Sequence, residues 1–258
     1  MASLDEVVLY LDTELRSAEV PDYDAALNGL QLTNANGSVS RVAAAVDFSL
    51  QSVNAAVREK ADLLVVHHGM FWRGSHRLVG PAFERIRAAL DGGLAIYSSH
   101  IPLDLHTKLG NNVLLAKELS LQPNMSFGKY KGVEIGVGGE CDLKTQELVD
   151  RLSTFSKGFR TTAVATTFEP GRRTKRWAMI TGAGVSADTL EEARVRGVDT
   201  MIVGEGTHHT GVQAMEMGIV VMYGGHYATE TLGVRALAEH IAQRFKVSHT
   251  FVDVPTGL

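Results

Sequence analysis

Apolar positions recur along the chain in two rhythms. Leu4, Val7, Val8, Leu11 and Leu15 fall at helical spacing behind Ser3-Leu4-Asp5-Glu6, a capping-box pattern, so the chain is expected to open with an amphipathic helix. Past Pro21 the rhythm changes. Residues 28–32 read as a turn running into a short strand, 42–46 as a strand and 50–59 as a helix. Leu63-Leu64-Val65-Val66 reads as a strand buried on both faces. Strand, helix and strand within about 27 residues predict a βαβ unit with parallel pairing and a right-handed crossover. A helix near 82–90, a strand over 94–97 and a helix over 112–119 follow. From 128 to 176 the pattern is strand, helix near 145–155, strand, joined by Gly-rich turns. The basic loop over 170–176 is expected to be solvated rather than phosphate-bound.

The second half then repeats the first. A strand over 176–180, a helix over 187–196 and a strand over 199–203 match 41–46, 50–59 and 62–68. The run Gly93-Leu94-Ala95-Ile96-Tyr97-Ser98-Ser99-His100 resembles Gly218-Ile219-Val220-Val221-Met222-Tyr223-Gly224-Gly225-His226. The copies lie roughly 130 residues apart, a domain-sized interval rather than the 20–50 of a solenoid. The expected fold is therefore α/β: two related units, a pseudo-duplication, with mainly parallel or mixed sheets flanked by helices and the active site between them. A helix starting near 229 would pack back onto the first half, which predicts a discontinuous first domain, 1–125 plus 225–258, and a second over 126–224.

Composition narrows the function. With 258 residues, 45% apolar and 21% charged, the chain is long enough to bury a core and ordinary for a globular protein. A formal charge of −4 argues against direct nucleic-acid binding. The start lacks the apolar core of a signal peptide, and no apolar run approaches the ~20 residues that span a bilayer. A cytoplasmic location without membrane association is expected. Cys141 is the single cysteine, so any metal would be held by nitrogen and oxygen.

Six histidines, His67, His68, His100, His208, His209 and His226, fall at the carboxyl ends of predicted strands, the edge where open α/β sheets bind ligands. His67 and His68 are neighbours on a strand, which would send them to opposite faces and suits two ions better than one. Four residues beyond His100 and His226 stand Asp104 and Glu230. Imidazoles with carboxylates make a ligand set for zinc, manganese or iron without thiolates. Phe71 and Trp72 read as core or pocket wall.

Asn28-Gly29-Leu30-Gln31, His67-His68, His100 with Leu103-Asp104, Gly204-Glu205 with His208, Gly225-His226-Tyr227 through Glu230, and the ending Phe251 to Gly257 resemble the Nif-three-like family over nearly the whole chain. Its members are dinuclear-metal hexamers, some described as GTP cyclohydrolase I type-two homologues. Gly69 departs from it, since many relatives carry proline there. The resemblance implies two divalent ions per chain (Zn, Mn, Fe or Mg) held by His67, His68, Asp104, His226 and Glu230. It places His100, Glu205, His208 and His209 near the metals, orienting ligands or touching substrate. Five side chains make five bonds, or seven if both carboxylates bridge, whereas two four-coordinate ions need about eight. An open position for water follows.

The leading expectation is a metal-dependent hydrolase acting through a metal-activated water on a small molecule such as a nucleotide or phosphoester, in a homo-oligomer, a hexamer by resemblance. The alternative is a metal-stabilised oligomeric scaffold or regulatory interaction protein without catalysis. A third reading, a nucleotide-binding module, rests on Gly182-Ala183-Gly184-Val185-Ser186-Ala187, which fits a G-x-G-x-x-A turn with Glu205 downstream.

Overall fold

The computed structural model describes residues 1–72, 74 and 76–258. In chain order the elements are β1 (Ala2–Ser3), α1 (Leu4–Glu14), β2 (Gly29–Leu32), β3 (Ser38–Val39), β4 (Arg41–Asp47), α2 (Leu50–Arg58), β5 (Leu63–His68), α3 (Pro81–Asp91), β6 (Ala95–Ser98) and α4 (Ile101–Asp104). They continue as α5 (Asn111–Glu118), β7 (Met125–Tyr130), β8 (Val133–Lys144), α6 (Thr145–Lys157), β9 (Val164–Ala165), β10 (Arg173–Ile180), α7 (Ala187–Val195), β11 (Thr200–Val203), α8 (His208–Glu216), β12 (Val220–Tyr223), α9 (His226–Phe245) and β13 (Ser248–Phe251). The chain divides into two compact units, Met1–His106 with Gly233–Val254, and Thr107–Leu232 with Pro255–Leu258.

The first unit carries a five-stranded sheet ordered β13-β4-β5-β6-β2. Its pairs are parallel except β2 against β6. Val42 to Val46 and Leu63 to His67 are buried without a break, as expected of strands covered on both faces. Ala43, Val53, Ala56, Leu64, Leu94 and Ile96 form one of its core layers. Each large apolar side chain buried in this way contributes about 1.5–3 kcal/mol. The second unit carries a six-stranded sheet ordered β7-β8-β10-β11-β12-β9, parallel through β10, β11 and β12 and antiparallel at both margins.

The duplication shows in the hydrogen bonds. Asp62 accepts from the amides of Ser40 and Arg41, and Asp199 from those of Lys175 and Arg176. Each aspartate fastens the start of a neighbouring parallel strand. Ser49 with Ser52, and Ser186 with Thr189, close reciprocal capping boxes on α2 and α7, which satisfies two otherwise orphaned amides at each helix start. The box expected at Ser3 does not form: its side chain makes no capping bond. Ser3 pairs with Ser38 in a two-stranded ribbon, and the Leu4 amide donates to Gly37 O at 2.9 Å instead. The basic segment expected as a loop over 170–176 is strand from Arg173 onward, opening β10 against β8, and there Arg173 and Lys175 pair with Asp142 and Arg176 with Glu140.

Candidate metal centre

Parallel β5 and β6 deliver their last residues to one edge of the first sheet. There one ring nitrogen from each of His67, His68 and His100 lies within 4.8 Å of the others. His67 is fully buried. Its Nδ1 sits 2.9 Å from Ser99 O. A carbonyl only accepts, so Nδ1 carries the proton and Nε2 keeps the lone pair. That Nε2 lies 3.5 Å from Asp104 Oδ2. His68 Nδ1 is 2.9 Å from Asp47 Oδ1, and His100 Nδ1 is 2.8 Å from Asp22 Oδ1. The same logic puts the lone pair of both rings on Nε2.

The rings of His67 and His68 do not diverge as strand alternation predicts; their centroids are 4.9 Å apart. The strand ends at His68, and Asp47 on neighbouring β4 draws that ring aside. Gln31 fixes the turn that follows, accepting the Met70 amide at 2.6 Å. Trp72 and Tyr23 wall this cluster: Trp72 lies 4.9 Å from the His68 ring and 4.7 Å from that of His100, and Tyr23 stacks on His100 at 5.6 Å.

In the second unit α9 begins at His226, so His226 and Glu230 share a face one turn apart. His226 Nε2 is 3.1 Å from Glu230 Oε2, while its Nδ1 is 2.9 Å from Glu205 Oε1. Burial disfavours the imidazolium, but Glu230 and Glu205 outweigh it and hold the His226 pKa up at about 9. Glu230 is 3% exposed. It fits because Gly182, with φ 64°, presents bare backbone: a Cβ there would stand 2.1 Å from Glu230 Oε1. A buried carboxylate beside a half-buried imidazole is a nitrogen-and-oxygen donor pair of the kind a divalent cation takes.

Of the residues expected near the metals, His67, His68, His100 and Asp104 come together in the first unit, and His226, Glu230 and Glu205 in the second. His208 and His209 differ. They are exposed and open α8 rather than tip a strand, and His208 lines a separate cavity. The glycines of the G-x-G-x-x-A segment have local roles: Gly182 makes room for Glu230, and a Cβ on Gly184 would stand 2.2 Å from Ile180 O. Sequence reading missed Asp22, Asn28 and Asp47. Asp22 holds His100 Nδ1 and the Ile101 amide together, and Asn28 bridges Asp22 to the His100 amide. Burial would raise the Asp22 pKa, but these bonds, led by His100, bring it below the ordinary carboxylate value. Asn28 carried a signal as part of the Asn-Gly-Leu-Gln motif; Asp22 and Asp47 carried none.

Comparison with known proteins places these residues in context. The family model described as Duf34/NIF3 (NGG1p interacting factor 3) matches residues 2–257. A Deinococcus radiodurans protein named GTP cyclohydrolase 1 type 2 homolog is 39% identical over 256 residues, 98% of this chain and 94% of its own. Among solved structures, protein ybgI, of unknown function, is 30% identical with a TM-score of 0.88, covering 99% of this chain and 100% of its own. A Thermus thermophilus protein is 33% identical with a TM-score of 0.83, at the same coverage.

Proposed function

The chain belongs to the Duf34/NIF3 family, and from that premise we propose that it is a metal-dependent hydrolase holding two divalent ions through His67, His68, Asp104, His226 and Glu230. The observation that carries this reading is the shared posture of the imidazoles. His67, His68, His100 and His226 each set Nδ1 against an oxygen acceptor, and Nε2 of His67 and of His226 faces a carboxylate of the proposed ligand set, Asp104 and Glu230. Outer oxygens steer ligating histidines in this way and raise their basicity. The donor set of nitrogen and carboxylate oxygen suits Zn, Mn, Fe or Mg.

Two divalent ions would supply Lewis acidity and a lowered pKa for water, the requirements of hydrolysis at carbon or phosphorus. The chain's own residues do the positioning. Ser99, Asp47 and Glu205 fix three rings, and Gly182 leaves room for the Glu230 carboxylate. His100, outside the ligand set, is oriented by Asp22 so that its Nε2 can accept or return a substrate proton. Trp72 and Tyr23 shield that ring from water on one side. The relatives' name points to GTP, and a nucleotide or phosphoester is the substrate class proposed. The working form on this reading is a cytoplasmic homo-oligomer, a hexamer as the family resemblance implies.

The test is elemental analysis of purified protein together with turnover of GTP and phosphoesters under manganese or zinc, against His68→Ala. About two ions per chain, depleted in the variant, with turnover above it, support the proposal. Ions retained in full by His68→Ala would remove His68 from the ligand set. Full metal without turnover of any substrate would leave a metal-stabilised scaffold in place of the enzyme.

A further inference from the structure

The second unit contains a cavity of about 280 Å³ alongside the loop that carries Glu205. Neither the ligand set nor the proposed reaction uses it. Its volume is close to the lower end of ligand pockets, which run from about 300 to 1,000 Å³, and suits one or two fused rings. Val212 and Met215 of α8 supply apolar wall, although 39% and 47% of their surface is left exposed. Tyr223 of β12 adds an aromatic face. Thr166 and Thr207 bring hydroxyls. Among the described residues, no carboxylate, lysine or arginine lines it, and the exposed imidazole of His208 does.

Hydrogen bonds tie the polar side of the wall together. Thr166 extends the pairing of β9 with β12: its amide donates to Val221 O at 2.9 Å, and its Oγ1 accepts the Val221 amide at 3.0 Å. That hydroxyl therefore keeps its own proton to donate. Tyr223 is hydrogen-bonded to Thr210, which in turn donates to Thr207 O at 2.7 Å. Gly211 keeps the space open. A Cβ there would lie 3.4 Å from the Tyr223 hydroxyl and 3.5 Å from Thr166 Cγ2, ordinary contacts between two walls.

We propose that this cavity is a binding site for a small, uncharged heteroaromatic ring. Such a ring has apolar faces and polar edges, which match the Met215, Val212 and Tyr223 walls and the threonine hydroxyls. An ionised ligand would give up hydration here with no carboxylate, lysine or arginine to receive it, and the exposed His208 imidazole is the lining group an anion could reach. An aliphatic chain would offer no acceptor to the Thr166 hydroxyl proton, whose oxygen already accepts the Val221 amide. The assignment is independent of the metal-site reading.

Ligand-observed saturation-transfer NMR on the metal-free full chain tests it, with indole, benzimidazole and nicotinamide as neutral probes and benzoate as the charged control. Competition titrations give the affinities. Wild type should bind at least one neutral probe, with benzoate roughly tenfold weaker or worse. Gly211→Leu fills the cavity while improving helix propensity, and should weaken the neutral probe by roughly tenfold or more. Met215→Ala, which enlarges the cavity at a half-exposed position, should change the rank order of the probes, and His68→Ala should change nothing. Failure of every neutral probe, equal binding of benzoate, or undiminished binding to a folded Gly211→Leu chain overturns the proposal. A melting curve shows that the variant is folded.

Discussion

Replacing Gly182 by alanine puts one methyl group where the buried carboxylate of Glu230 now sits. The added Cβ would stand 2.1 Å from Glu230 Oε1, 3.1 Å from its Cδ and 3.3 Å from His226 Nε2. Glu230 is buried, so it yields only by leaving the imidazole. The backbone adds a second penalty, because φ is 64° and an L-residue there costs about 1–2 kcal/mol. Gly171 separates the two effects: it has φ 83°, and no described atom beyond its chain neighbours lies within 4 Å of a Cβ. Gly171→Ala should therefore lose about 1–2 kcal/mol of stability, or roughly 2–4 °C in Tm per kcal/mol, with metal affinity intact. Gly182→Ala should lose at least as much stability. It should also weaken metal binding about 10–100-fold, the usual penalty for disturbing the support of a ligand, equivalent to roughly 1.4–2.8 kcal/mol. Calorimetric titration of zinc or manganese into stripped protein, with melting curves on the same samples, reads both. Gly182→Ala binding metal like wild type would refute the role assigned to Glu230. An equal affinity loss in Gly171→Ala would show that general destabilisation, not the methyl, is responsible.

Trp72 packs on His68 and His100, whereas Trp177 is fully buried; copper(II) or cobalt(II) should quench tryptophan emission stoichiometrically, and quenching that survives Trp72→Phe would place the ion elsewhere. Asp47→Asn removes the carboxylate that orients His68 and should weaken metal binding about 10–100-fold with little change in Tm; unchanged affinity on titration would contradict the orienting role. The pKa of Asp22 is lowered from 3.8 in the fold, so below that value the unfolded chain takes up the proton first. The stabilisation is present above 3.8 and is lost as pH falls through the folded value. Asp22→Asn should accordingly cost about 1.5–3 kcal/mol near neutrality and progressively less in acid; denaturant midpoints showing a constant difference across that range would rule the linkage out.

Much of the fold was legible because its central strands are covered on both faces. Runs such as Leu63 to Val66 and Thr200 to Val203 leave little but buried parallel strand as a reading. The hairpin of β7 and β8 was harder, since Gly136, Gly138 and Gly139 mimic a turn-rich loop. They are required by close backbone packing: a Cβ on Gly136 would stand 2.3 Å from Met179 O, and one on Gly138 2.7 Å from Trp177 O. Without side chains at these positions the period of two vanishes. Strand β13 was missed because only its last two residues are half-buried. At the candidate site, the imidazoles announced themselves by type, but Asp22 and Asp47 are ordinary aspartates until the fold sets them against His100 and His68. Position relative to another strand is not a property any local pattern carries.

The repeat also explains why the echo between His100 and His226 was misleading by one residue. The Ser99 amide donates to Val66 O and the Gly224 amide to Val203 O, so Ser99 answers to Gly224 and His100 to Gly225. The Asp104 amide bonds His100 O as the Thr229 amide bonds Gly225 O. His226 thus answers to Ile101, and Glu230 lies one step past the counterpart of Asp104. On a helix one step is about 100° of rotation, enough to aim a side chain at a different target. By the same register His67 and His68 answer to Gly204 and Glu205. The ancestral scaffold survives where backbone amides need a partner, at Asp62 and Asp199 and at the two serine caps. The strand tips, free of that duty, diverged: one copy filled them with imidazoles. The other carries glycines there, Gly204 and Gly225 among them, and sets Glu205 where it orients His226 at the start of α9.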